Sequence, residues 1–173
     1  MILGASGSGK STSLRNFDPE EIGIFNVASK PLPFRKKLPK VNNATYQIIY
    51  KVLQNPSLKK YVIDDSQYLM AFESFDHAKE TGYAKFTNMA LNFRNLIDFV
   101  VTKVPDDVIV YFLHHTQVGA DGKIKAKTVG QMLDNYLTLE GCTDICLLAQ
   151  TDGSNHYFIT QSDGSTTAKS PEG

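Results

Sequence analysis

Apolar residues fall along this chain in short blocks, and the spacing inside each block predicts its element. "MIL" (1–3) is a strand fragment that runs into a glycine-rich loop, and "KSTSLRNF" (10–17) follows as a short helix. "IGIFNV" (22–27) is a compact apolar run of strand type. "ASKPLPFRKKLPK" (28–40) carries three prolines and five basic residues, which makes it a loop. In "ATYQIIYKVLQNP" (44–56), Tyr46, Ile49, Tyr50 and Leu53 share one helical face and Pro56 closes the helix. "KKYVIDD" (59–65) is a buried strand that ends on two carboxylates. Residues 66–104 are mostly helical, with Phe86, Met89, Ala90, Phe93, Leu96, Ile97 and Val100 stepping by three and four toward a core.

The second half reads differently. "DVIVYFLHH" (107–115) is a strongly apolar strand. "TQVGADGKIKAKTV" (116–129) holds an Asp121-Gly122 turn between short strand-like arms, a hairpin pattern. "GQMLDNYL" (130–137) is a short helix or turn, and "TDICLLAQTDGSNHYFITQ" (143–161) a second hairpin around Asp152-Gly153. "SDGSTTAKSPEG" closes the chain as a polar, loop-like tail. Strands alternating with helices predict an α/β fold, a mainly parallel sheet flanked by helices, with antiparallel hairpins at one edge. There is no internal repeat. The 173 residues fit a single domain spanning 1–173, and the abrupt opening strand and the "KSPEG" ending suggest a sequence trimmed at its termini.

Composition narrows the function classes. Lys and Arg together equal Asp and Glu at 18 each, so no overall field draws the protein to DNA or a membrane, and any nucleic-acid surface is a local patch. Cys142 and Cys146 are the two cysteines, too few for a disulfide framework and in keeping with a reducing cytoplasm. No apolar run approaches the ~18 residues of a membrane span.

"LGASGSGKST" (3–12) contains the spacing G-x-x-x-x-G-K-S/T through Gly4, Gly9, Lys10 and Ser11. Glycines let the backbone take positive φ and come close to phosphate, so that successive N–H groups form an anion nest before a helix. The phosphate-binding stretch is then Gly4, Ala5, Ser6, Gly7, Ser8, Gly9, Lys10, Ser11 and Thr12, with Lys10 reaching the β- and γ-phosphates of ATP. The Ser11 hydroxyl is a ligand for Mg²⁺, a cation that keeps several waters and takes few protein groups. Asp64, at the carboxyl end of an apolar strand, is placed to steady that Mg²⁺ through water. Asp65 is then free to orient or deprotonate the attacking water. The competing reading is a pair of aspartates capping the next helix.

"VIVYFLHHTQ" ends in polar residues, of which His115 or Thr116 suits contact with a γ-phosphate; the competing reading is a histidine satisfied by backbone hydrogen bonds. The adjacent His114 and His115 point to opposite faces of a strand, which disfavours a metal site. In "GKIKAKTV", Lys123, Lys125 and Lys127 share one strand face. They face nucleic-acid phosphate, face the ATP of a neighbouring subunit, or protect an exposed edge strand by charge. "KPLPFRKK" is a second basic patch, with Phe34 among Lys30, Arg35 and Lys36, a composition suited to single strands or simply to a solvated loop.

These segments together ("LGASGSGKST", "KPLPF", "VIDDSQYLM", "DGKIKAKTVGQMLD", "SDGSTTAKSPEG") resemble phage-encoded RecA-like ATPases, including single-strand annealing proteins of the Sak type. The resemblance implies a RecA-like P-loop core and a Mg²⁺-dependent ATPase. It also implies single-stranded DNA as partner in annealing or recombination, and self-association into a ring or filament, with a single-strand-binding protein as a further candidate partner. Carried onto this chain, Gly4–Thr12 match the Walker A loop and Asp64 the Walker B acid. His115–Gln117 fall at the polar sensor, and Lys125 and Lys127 near the lysines that reach a neighbour's nucleotide. The catalytic set is then Lys10, Asp65, His115, Lys125 and Lys127. One departure stands out. RecA-like ATPases carry a glutamate at the end of the second strand, where this chain reads "FNVASK". Two alternatives follow: a nucleotide kinase-like phosphotransferase, for which the three arginines (Arg15, Arg35, Arg94) are few and unclustered, and a non-hydrolysing ATP-gated assembly protein.

Overall fold

The computed structural model describes residues 1–80, 82–129 and 138–171. The helix or turn expected over 130–137 lies outside the described residues. Eight strands form one sheet: β1 (Ile2–Gly4), β2 (Ile22–Asn26), β3 (Lys40–Asn42), β4 (Lys60–Asp64), β5 (Ile109–Val118), β6 (Ile124–Ala126), β7 (Leu147–Asp152) and β8 (Asn155–Ile159). Among the described residues three α-helices accompany them: α1 (Tyr46–Leu53), α2 (Gln67–Asp76) and α3 (Tyr83–Lys103). The strand order is β3-β2-β4-β5-β1-β7-β8, with β6 paired to the outer part of β5. Every neighbouring pair from β3 to β7 is parallel, while β7–β8 and β5–β6 are antiparallel. The α/β class and the mainly parallel sheet are as expected. The edge placement holds only for β8. The other hairpin grows from β5 in the middle of the sheet, because β5 runs on past His115 through Gln117 and Val118 and folds back at Gly122 (φ 78°).

Period-two alternation explains why both sheet faces are covered. Phe25, Tyr61, Ile63 and Phe112 point to the face under α1 and α3, where Ile49, Met89, Phe93, Leu96 and Ile97 are buried. Ile22, Ile24, Val62 and Leu113 point the other way, toward Leu14 and Leu38. The proline-rich segment is therefore more than a solvated loop: Leu32 and Phe34 pack against this second cluster. Phe34 is spent on the core rather than presented to a ligand. Thr45 caps α1, accepting from the Ile48 N–H at 3.4 Å.

Two further departures have local causes. β3, with the sequence Lys-Val-Asn, is fully exposed and is held by backbone pairing to β2, which apolar spacing does not reveal. The polar tail is bound, not loose: Thr166 and Ala168 are buried, and Cys146 and Lys169 exchange both backbone hydrogen bonds. Buried Glu140 ties this region together, accepting from the Ala126 N–H at 2.6 Å and the Thr167 hydroxyl at 2.9 Å. Cys142 and Cys146 are free thiols. Among the described residues, no helix is long and apolar enough to cross a membrane.

Candidate functional site

The carboxyl ends of β1, β4 and β5 converge on one cleft. β1 delivers the glycine loop, β4 delivers Asp64 and Asp65, and β5 lies between those two strands and delivers His115. A cleft of about 220 Å³ is lined by Ser6–Thr12, Lys30, Asp64, Asp65 and His115, together with Pro31 and Pro33.

Glycine is required at the loop for specific reasons. Gly7 and Gly9 have φ of 80° and 97°, a region that penalises side chains. A Cβ on Gly4 would lie 2.3 Å from Ser8 Oγ. The helix after the loop is a six-residue 3-10 turn, Ser11–Asn16, so an anion in the loop would meet the loop N–H groups and Lys10 rather than a long helix dipole. Lys10 is buried and turned over the loop, donating to Gly4 O at 2.6 Å and Ala5 O at 3.0 Å. Burial pushes its ammonium down to about 8, partly opposed by Asp65 and Asp64.

Ser11 Oγ donates to Asp64 Oδ1 at 2.8 Å, bridging residues 53 positions apart. Burial raises the Asp64 carboxyl above its ordinary value, against the Ser11 hydrogen bond, which lowers it. A hydroxyl and a carboxylate side by side, next to amide donors, suit a hydrated Mg²⁺ beside a phosphate. Among the described residues no group of three or more His, Cys, Asp or Glu gathers.

Asp65 sits in a network that sequence reading did not reveal. Its Oδ2 accepts from Lys30 Nζ at 2.8 Å, and its Oδ1 lies 3.1 Å from His115 Nε2. Burial alone would raise the Asp65 carboxyl, but the hydrogen bonds from His115 and Lys30 prevail and hold it well below the carboxylate range. Asp65 also takes φ 58°, a strained conformation for a residue with a Cβ, costing on the order of 1 kcal/mol. Lys30 lies over the Tyr68 ring, 4.9 Å from its centroid, and Gln67 Oε1 accepts from the His115 N–H at 3.2 Å. The sequence signal for Lys30 was its basic, proline-bounded loop, which also suited other roles.

The remaining candidates separate. His114 is fully buried behind the cleft, bonded to Ser66 Oγ and to Lys127 O. Thr116 lines a different cavity on the far side of the loop, with Ala5–Ser8 and Leu148–Thr151. Lys125 and Lys127 do not line the cleft. Only Lys125 of the three alternating lysines lies within β6, opposite Gln117, while Lys123 follows the Asp121 turn and Lys127 is exposed beyond the strand. Neither the family-model scan nor the search of curated proteins found a match to this chain.

Proposed function

We propose that this chain is a RecA-like P-loop ATPase that holds Mg²⁺·ATP on Gly4–Thr12 and acts on single-stranded DNA in annealing or recombination, as a ring or filament in the cytoplasm. The observation that carries the nucleotide reading is the 2.8 Å contact between Ser11 and Asp64, made in the same cleft as Lys10. In this reading Lys10 leaves the Gly4 and Ala5 carbonyls and meets the β- and γ-phosphates, whose charge compensates its desolvation. The Gly7 and Gly9 backbone bends aim successive N–H groups at the same oxygens. Ser11 and Asp64 would hold Mg²⁺, which when bound neutralises charge across the β- and γ-phosphates. In the same reading His115, carried on β5 between the loop strand and the acid strand, would act as the polar sensor that the resemblance implies. The DNA task, the trans role of Lys125 and Lys127 and a single-strand-binding partner rest on the resemblance alone.

The test is ATP hydrolysis with and without a short single strand, alongside DNA affinity against salt. Contacts to several phosphates give a log–log slope of about −0.7 per contact. Absent binding, or binding insensitive to salt, removes the DNA role. Loss of ATP binding in Lys10→Ala supports the nucleotide reading, and unchanged affinity removes it.

A second reading, ATP-gated assembly without turnover, is favoured by the Asp65 ion pair. A carboxylate this acidic and doubly bonded is a weak proton acceptor, and Asn26 at the end of β2 is committed to Lys30 O and Asn42. Multiple turnover that disappears in Asp65→Asn would count against assembly alone.

A further inference from the structure

We infer that the β7–β8 hairpin carries a nucleobase subsite, in which Phe158 and Arg15 stack on the base of a purine nucleoside triphosphate. The inference rests on the phosphate reading of the loop and adds the ligand's other end.

A second cleft, of about 230 Å³, opens directly beside the phosphate cleft and shares Ser8, Gly9 and Thr12 with it. It runs outward to Arg15, Asn16, His156, Tyr157 and Phe158. β8 reaches the loop because its partner β7 pairs with β1, the strand that enters the loop. The approach is close. His156 Nδ1 lies 3.2 Å from Ser8 O, and a Cβ built on Gly9 would sit 2.8 Å from that same nitrogen. The glycine at position 9 therefore admits the hairpin as well as the phosphate.

Strand alternation gives β8 two unlike faces. Tyr157 also lines this cleft, although strand alternation turns its ring away from His156 and Phe158, and its hydroxyl donates to Gln150 Oε1 at 3.4 Å. His156 and Phe158 share the face that meets the loop. Phe158 is 41% exposed and belongs to neither apolar cluster, whereas the next residue, Ile159, packs on the core. A large apolar ring held on a strand, outside the core and lining one cleft with Arg15, is a platform for a flat π-system. Arg15, exposed and lining the same cleft, can offer a guanidinium plane, and the Asn16 amide can both donate to and accept from a base edge. A ligand whose triphosphate lies in the loop leaves it past Thr12, into this cleft. The larger ring area of a purine favours it over a pyrimidine.

The chain has no tryptophan, so Phe158→Trp places a single indole at the subsite. Mg·ATP is expected to change its emission strongly, while Mg·tripolyphosphate, which has no base, leaves it nearly unchanged. Phe158→Ala and Arg15→Ala should each weaken ATP about tenfold by calorimetry and leave tripolyphosphate affinity within about twofold. Phe158→Leu, which keeps the apolar bulk, should behave like the alanine variant. Equal weakening of both ligands, or no weakening of ATP, overturns the subsite while the loop assignment stands. Indole quenching by a short single strand in place of ATP also overturns it. If the unsubstituted protein binds neither ATP nor tripolyphosphate, the phosphate reading fails and the subsite with it.

Discussion

Lowering the pH from 7 to 5 should weaken the fold by about 2 kcal/mol through one side chain, His114. It is 0% exposed and wedged between Ser66 and Lys127, with Phe93 edge-on at 5.6 Å. A carbonyl only accepts, so Nε2 carries the proton to Lys127 O at 2.7 Å, which leaves Nδ1 as an acceptor 2.8 Å from the Ser66 hydroxyl, whose one proton Leu113 O at 3.1 Å also attracts. The neutral ring thus has a neighbour at each nitrogen. Burial pushes the imidazole from 6.5 down to about 4, with Lys127 O opposing and the nearby His115 and Lys10 charges adding to the fall. The unfolded chain therefore binds the proton that the folded chain refuses. Stability is complete above about 6.5 and is lost progressively as pH falls toward 4. The figure of about 2 kcal/mol follows from those two pKa values evaluated at pH 7 and pH 5. The assay is urea unfolding at both pH values for the wild type and for His114→Gln, which cannot titrate. Asp64, Asp65 and the exposed histidines contribute to both proteins and cancel in the difference. Equal losses in the two proteins, or a proton titration of His114 near 6.5, would refute the reasoning.

Lys10→Ala should keep the fold and weaken Mg·ATP by about tenfold to 150-fold, the worth of ~1.5–3 kcal/mol for a charged hydrogen bond, measured by calorimetry. Gly9→Ala forces a Cβ into φ 97° against His156, so urea unfolding should show a loss of about 1–2 kcal/mol together with weaker ATP binding. Unchanged values for both quantities would contradict the loop geometry. Lys125→Ala should lower turnover through a subunit contact, and mixing it with an Asp65 variant should partly restore activity. No rescue at any ratio would assign that lysine to DNA or to the surface.

The convergence of Lys10, Ser11 and Asp64 was legible before the fold because its causes are local: glycine spacing bends the loop, and an acid closing an apolar strand of a parallel sheet lands at the carboxyl edge beside it. The Lys30–Asp65–His115 network was not. It depends on β5 lying between β1 and β4, and on the 28–39 segment folding back over the sheet, neither of which is encoded in nearest-neighbour spacing. Phe34 was ambiguous for a related reason: its basic neighbours suited a ligand surface or a solvated loop, whereas the folded segment packs it, half-buried, against the second apolar cluster. The lysine alternation overran its strand, since β6 stops at Ala126 and leaves Lys127 to serve through its backbone, donating N–H to His115 O and accepting from His114.

The central claim is that a triphosphate and its metal meet Lys10, Ser11 and Asp64 at once. A crystal structure with Mg²⁺ and a slowly hydrolysed ATP analogue tests it most directly. The account predicts Mg²⁺ about 2.1 Å from Ser11 Oγ, a water between the metal and Asp64, and Lys10 moved from Gly4 O onto the phosphates. Nucleotide bound away from Gly4–Thr12, or a metal with neither Ser11 nor Asp64 beside it, would contradict the account.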